Sequence, residues 1–332
     1  MKPVKLILLF LLAMSLSLLV LSGLDLFWFA HHGNRQPATV IVIEPGSSLK
    51  KITHILADHK LISSQLRFKI LNRVLQSSAT LKAGEYEIAA AATPLTIIAT
   101  LQKGKSLQHK ISFPEGFTLK QIKDRLAAAE ICTAAEFEKI TTTATELKKW
   151  QIPTDNLEGY LFPSTYCYDR NTSCRDLVTQ MLATGQQMFT AIKAANPKTD
   201  FNRHQILTLA SIIQKEAGNI EEMPLIAAVF YNRLRRNQRL ASDPTTIYGL
   251  GESFDGNLHR RDLKHPSPYN TYRHKGLPPG PICSPGSSAI KAALNPAASD
   301  YLFFVSRNNG THQFSKTYPE HQQAVKKYQL KR

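Results

Sequence analysis

Ile206-Leu207-Thr208-Leu209-Ala210-Ser211-Ile212-Ile213-Gln214-Lys215-Glu216-Ala217-Gly218 reads as a helix that stays apolar until its last turn and there presents a glutamate. Ile206, Leu209, Ala210 and Ile213 recur at three-to-four spacing, as a buried helix face should. Asn202 is placed to cap the start and Gly218 to end it. Glu216 then lies at the negative end of the helix dipole, beside apolar neighbours, and both effects disfavour its charged form. A carboxyl group kept protonated near neutral pH is what a general acid needs. The competing reading is an exposed glutamate in a fraying last turn. This stretch alone does not decide between them, so the rest of the chain has to.

The chain has 332 residues, enough for two compact domains, with a formal net charge of +16. Leu6 to Leu24 is a charge-free apolar run long enough to cross a bilayer as a helix. Lys2 and Lys5 precede it, and Asp25 and the aromatic Leu26-Phe27-Trp28-Phe29 follow. Lysines on that side hold the N-terminus inside and place the body outside. A cleaved signal peptide is the rival, but the run is long for one and no A-x-A site follows. An exported body excludes most nucleic-acid readings of the charge. It leaves anionic lipid head groups, an anionic envelope polymer or a solvated surface. Four cysteines remain: Cys132, Cys167, Cys174 and Cys283. They allow three pairings, among them a small Cys167–Cys174 loop, or free thiols, and their spacing fits no zinc motif.

After a linker at 31–39, Val40 to Ile43 reads as a strand closed by Pro45-Gly46, with Ser48 capping a helix from Leu49 to His59. Ser63 or Ser64 opens another helix through Leu75, Gly84 to Ile88 reads as a strand, and Thr93-Pro94 begins a helix through Leu101. At an offset of 70, Gly46, Leu49, Lys50, Ile52, Leu56 and Ala57 recur as Gly116, Leu119, Lys120, Ile122, Leu126 and Ala127. Duplication of one strand–turn–helix unit is the simple account. Such a unit resembles a LysM glycan-binding module. Leu157 to Tyr166 packs aromatics around Glu158, an arrangement that suits sugar rings, or equally a structural pair in a core strand. Leu177 to Ala195 reads as a helix ended by Asn196-Pro197, and Pro224 to Arg236 as another. Six prolines between Lys264 and Gly286 indicate a rigid surface loop. Ser287–Leu294 (helix), Tyr301–Ser306 (strand) and Pro319–Tyr328 (helix) complete an α+β body.

Several chemistries fall away. Eleven histidines are scattered without H-E-x-x-H, so no metal is expected. Ser47-Ser48-Leu49-Lys50 and Ser288-Ala289-Ile290-Lys291 match S-x-x-K, but no K-T-G or S-D-N accompanies them. Carboxylates are left: Glu158, Glu216, Glu221, Glu222, Asp243, Glu252, Asp255 and Asp262 in the second half. Only Glu216 follows a strongly apolar helix. Asp243 reads as a helix cap.

Leu209 to Ala217 resembles the catalytic segment of the endolytic murein transglycosylases (MltG, or YceG-like). The similarity continues through Ala228-Val229-Phe230-Tyr231-Asn232-Arg233-Leu234, then Leu240 to Gly249, Tyr269 to Tyr272 and Gly276 to Ile282. Leu157 to Pro163, Tyr301 to Val305, His312 with Phe314, and His321 also fit. Two departures stand out: Gln214 where the family usually has glutamate, and Ser164 where it often has aspartate. The resemblance implies a transmembrane anchor over 1–30, a LysM-like α/β subdomain over 40–110 and a YceG-like catalytic domain over 111–330. It implies a lyase of the inner membrane with an extracytoplasmic body, working without a cofactor on peptidoglycan strands, with synthases as expected partners. Glu216 would be the catalytic acid and base. Glu158 and Tyr160 would line the cleft. Asn232 and Thr245 would bond sugar hydroxyls or Glu216, and Tyr248, Asn270, Thr271 and Tyr272 would wall the subsites.

Overall fold

The computed structural model describes residues 2–76, 81–195 and 199–330. The Asn196-Pro197 helix stop lies outside the described residues. The chain divides into two compact units, one of 1–110 with 167–172 and one of 111–166 with 173–332.

The first unit begins with α1 (Lys2–His31), whose side chains from Val4 to Asp25 are exposed. It is long and apolar enough to cross a membrane. β1 (Thr39–Ile43) pairs antiparallel with β2 (Gly84–Ile88), with Ile41 opposite Tyr86. Alternation turns Ile41, Ile43, Tyr86 and Ile88 inward. They meet the apolar faces of α2 (Leu49–Asp58), α3 (Gln65–Val74) and α4 (Pro94–Lys103) in one core with Phe29 of α1.

The duplication extends to backbone geometry. Ser48 caps α2 as Thr118 caps α5 (Leu119–Ala128). Just past the C-cap of each helix comes a residue in the left-handed region, Lys60 at φ 55° and Glu130 at φ 55°. In each copy the next amide returns to the helix, Leu61 N–H to Leu56 and Ile131 N–H to Leu126. The second helix of each copy breaks the register by one residue. Ser64 caps α3, and Thr133 caps α6 (Ala134–Thr142).

β3 (His109–Ser112) forms a two-stranded sheet with β4 (Thr165–Tyr168), and in the second unit α7 (Ala144–Lys149) follows α6. Next come α8 (Cys174–Ala195), α9 (Arg203–Glu216), α10 (Met223–Arg235), α11 (Asp243–Leu250) and α12 (Ser287–Leu294). β5 (Phe303–Ser306) pairs with β6 (His312–Ser315), and α13 (Tyr318–Val325) closes the unit. Cys132 is joined to Cys174, which corrects the small Cys167–Cys174 loop. Cys167 is exposed and free, and Cys283 is buried and free.

α9 is the axis of this unit. Every residue from Ile206 to Ile213 is buried, so the helix is enclosed all round and not along one face only. Asn202 and Gln205 form a reciprocal capping box at its start. Gly218 does not end it through a left-handed turn. The helix closes at Ala217 in extended backbone. Gly218 is required because a Cβ there would lie 2.5 Å from the Gly310 carbonyl. The proline-rich segment is also corrected, because its end from Gly280 to Gly286 is buried. It threads beside α9, with Ile282 N–H donating to Ser211 Oγ at 3.0 Å and Gly286 N–H to Gln214 Oε1 at 3.0 Å. Prolines carry no N–H, so burying this irregular backbone leaves fewer donors to satisfy.

Gly159 holds this segment against the turn at 157–160. Its φ is +78°, and a Cβ there would sit 2.2 Å from Pro281 Cβ. Gly159→Ala combines left-handed strain with overpacking and should cost about 3 kcal/mol or more. A urea midpoint unchanged from wild type would contradict this.

Candidate active site

Glu216 is the last residue of α9, directly after the buried run Ile206–Ile213, in a last turn whose carbonyls lack helical partners. It is partly exposed along a cleft of about 530 Å³. Protein otherwise surrounds its carboxyl closely. Burial pushes its pKa up to about 7, against the Ser242 hydrogen bond, with Asp243 adding to the rise and Arg233 opposing it. Ser242 Oγ donates to Glu216 Oε1 at 2.5 Å.

Ser242 occupies the N-cap position of α11 but makes no side-chain cap. Its hydroxyl serves the glutamate instead. A framework behind it fixes the backbone. Ser242 N–H donates to Thr271 Oγ1 at 3.0 Å, Thr245 Oγ1 donates to the Ser242 carbonyl at 2.7 Å, and the two threonine hydroxyls are 2.8 Å apart. Ala241, next to it, holds φ +47°, a costly conformation for a residue with a Cβ. Its amide is anchored on the Thr271 carbonyl at 3.2 Å. Arg233 of α10 completes the frame by donating to the Leu240 and Leu302 carbonyls. Its guanidinium lies 5.4 Å from the centre of the Phe303 ring.

The far wall of the cleft comes from β5, β6 and α13. Phe303, Phe304 and Tyr318 supply aromatic surface, and His321 stacks on Phe303 with centroids 5.1 Å apart. His321 Nδ1 is buried with no hydrogen-bond partner among the described residues, and burial lowers the pKa of the ring. His312 also lines the cleft, held by Glu222 at 2.8 Å.

The expected residues divide into three groups. Tyr272 lines the cleft and donates to Asp243 Oδ1 at 2.6 Å. Thr245, Thr271 and Asn270 do not wall it. They are fully buried behind Ser242, with Asn270 accepting from Thr246 at 3.0 Å and bonding the Leu263 and His265 carbonyls. Asn232 is buried too, and its amide holds the Ser299 and Tyr301 carbonyls, both at 2.8 Å, without reaching Glu216. Glu158 and Tyr160 belong elsewhere. The Glu158 carboxylate accepts from Leu119 N–H at the start of α5 and from Tyr248 at 3.2 Å, and burial raises its pKa to about 7. The Glu158 carboxyl thus bridges the start of α5 and the Tyr248 hydroxyl. Tyr160 is 2% exposed and hydrogen-bonded to His204 Nδ1 at 2.8 Å.

Asp243 is not the cap but the first residue of α11, exposed on the same cleft as Glu216. Gln214, two residues before Glu216, has its carbonyl oxygen committed to Gly286 N–H. Ser242 and Arg233 are site groups that periodicity does not single out. Both lie inside segments similar to the family, but no local pattern marks either side chain.

Removing the Ser242 hydroxyl tests the geometry. The donor favours the charged carboxylate, so Ser242→Ala should raise the pKa of Glu216 by about one unit. If Glu216 acts as an acid, the alkaline limb of kcat/KM should move to higher pH. A uniform loss at all pH values would leave Ser242 with a merely structural role.

A family model described as the YceG-like family matches residues 41–327. The endolytic murein transglycosylase of Bacillus subtilis (strain 168) is 35% identical over 310 residues, covering 87% of this chain and 84% of that protein. The protein of the same name from Streptococcus pneumoniae (strain D39) is 29% identical over 303 residues, covering 82% of this chain and 55% of its own length. A YceG-like protein of Listeria monocytogenes with a known crystal structure is 35% identical, with TM-score 0.60 over 86% of this chain and 98% of its own. The family match spans most of the chain and the Bacillus subtilis relative is 35% identical over most of both proteins, so this chain belongs to the YceG-like family.

Proposed function

We propose that this chain is a peptidoglycan lytic transglycosylase that cuts MurNAc–GlcNAc β-1,4 bonds within nascent strands and leaves 1,6-anhydroMurNAc ends. The observation that carries the reading is Glu216, whose carboxyl titrates near neutral pH on an aromatic-walled cleft. Such a group gives a proton to the leaving glycosidic oxygen as positive charge develops at MurNAc C1. The substrate's N-acetyl group stabilises that centre, so no second carboxylate is needed as nucleophile. Glu216, now a carboxylate held by Ser242, takes the C6 hydroxyl proton, and that oxygen closes on C1. The proton balance closes on one residue, whose pKa must lie near the working pH. Phe303, Phe304, Tyr318 and Tyr272 offer faces to sugar rings.

The membrane helix is read as an uncleaved anchor with Lys2 and Lys5 inside. A Cys132–Cys174 bond suits an oxidising compartment outside. The unit up to Lys110 is read as a LysM-like glycan holder.

One observation favours hydrolysis as a second reading: Asp243 is another carboxylate on the same cleft. Digesting uncrosslinked glycan with the full chain and weighing the products separates the two. Anhydro ends, each lighter by one water, support transglycosylation. Reducing ends that disappear in Asp243→Asn would establish hydrolysis instead.

A further inference from the structure

The first unit carries a concave site of its own, lined by none of the residues that line the Glu216 cleft. Where the apolar run of α1 ends, Asp25 pairs with Arg67 of α3 at 3.0 Å, and the Arg67 guanidinium lies 6.0 Å from the Phe29 ring centre. α3 is thereby fixed to the end of the apolar run. Its inner face buries Phe68 and Leu71 in the core. Its outer face shows Leu66, Ile70 and Val74, exposed by 67%, 44% and 65%. Spacing of four residues puts these three on one stripe. Exposed apolar stripes of this kind mark an interaction surface.

Beside the stripe lies a cavity of about 590 Å³. Arg35, Lys60, Arg67 and His32 contribute its polar wall, and no carboxylate lines it among the described residues. Trp28 supplies an apolar wall. Its ring is stacked on His32 with centroids 4.2 Å apart and remains 58% exposed. Lys60 is presented by its left-handed backbone at φ 55°. A cationic hollow, an amphipathic aromatic and an apolar helix stripe thus converge at the end of a membrane-spanning helix. Each has its counterpart in one object: the surface of a charged leaflet.

We propose that this cavity binds the phosphate-bearing head group of an anionic phospholipid in the leaflet reached by the end of α1. The Leu66–Ile70–Val74 stripe lies in the interface of the same leaflet. The site rests on α1 being a membrane anchor and is independent of the chemistry at Glu216. It holds the first unit flat against the bilayer.

The test uses the full chain in nanodiscs containing equal amounts of phosphatidylglycerol and phosphatidylcholine, with native mass spectrometry of the lipids that stay bound on release. Wild type should retain phosphatidylglycerol in preference. Arg35→Gln combined with Lys60→Asn spares the Asp25–Arg67 pair, and asparagine tolerates the left-handed backbone. Each basic residue near an anionic surface contributes about fivefold, so the double variant should weaken retention by about 25-fold. Equal retention of the two lipids, or an unchanged double variant, would overturn the site while leaving the anchor intact. Displacement of the lipid by millimolar inorganic phosphate would reassign the cavity to a soluble anion. A chain that never enters the bilayer would overturn anchor and site together.

Discussion

Glu216→Gln should abolish anhydro-end formation, with kcat/KM falling by about 10³-fold or more, because the same carboxyl is asked to give a proton and to take one. Glutamine matches glutamate in shape and can still accept from Ser242 Oγ, so the fold should survive. The loss should therefore lie in kcat while glycan binding persists. Wild type adds a pH signature. Glu216 titrates near 7, so kcat/KM should fall tenfold per pH unit above that value as the acid form is depleted. Activity in Glu216→Gln within tenfold of wild type would remove Glu216 from the chemistry.

The same substitution has a stability consequence of opposite sign. A carboxyl whose folded pKa lies above its unfolded value binds more protons when folded, so it costs stability as pH rises from about 4.5 to about 7. Above pH 7 that cost is complete. Glutamine carries no charge and avoids it, so Glu216→Gln should be more stable than wild type at pH 8 by up to about 3 kcal/mol, and equal to it near pH 4. Denaturant melts at the two pH values measure this. A dead enzyme whose extra stability grows from about pH 4.5 and is complete above about pH 7 is what a functional, electrostatically strained carboxyl produces.

Loss of the Cys132–Cys174 bond should be the largest change in stability. The bond closes a loop with a sequence separation of 42 residues. Constraint of the unfolded chain by a loop of that size contributes about 4 kcal/mol on the chain-entropy account. Both cysteines are buried, at 6% and 1% exposure, so two serines would in addition bury hydroxyls without partners. Cys132→Ala with Cys174→Ala avoids that second cost and should lower the unfolding free energy by about the entropic amount. Cys167→Ala, at an exposed free thiol, should leave it unchanged. Equal stability of the double alanine variant and wild type in non-reducing buffer would refute the pairing.

Local signals in the chain were strong where physics is local. The apolar run of α1, the caps at Ser48, Ser64, Thr118, Thr133 and Asn202, and the α9 helix ending at Glu216 all follow from hydrophobic period and hydrogen bonds within a few residues. The duplicated unit was legible as well, and the structure extends it to the turns after α2 and α5, where Lys60 and Glu130 differ in type but share a left-handed backbone. Elements with weak period were not. β6 alternates no apolar residues, His312-Gln313-Phe314-Ser315, and becomes a strand only by pairing with β5. The proline-rich segment looked like surface. Burial of its end depends on acceptors from α9 that are some 70 residues away in sequence.

The sequence by itself determined a membrane-length helix, two related strand–turn–helix units and one glutamate at the end of an apolar helix. Tertiary structure decided what surrounds that glutamate. It diverted Ser242 from capping to hydrogen-bonding Glu216, and set Thr245 and Thr271 behind it as supports. It sent Glu158 to the start of α5 and brought Phe303, His312 and His321 across from the end of the chain. Periodicity reports which face of a segment is buried. Which side chains share a cleft depends on contacts between residues about 25 to 105 positions apart, and only packing of the whole unit fixes those.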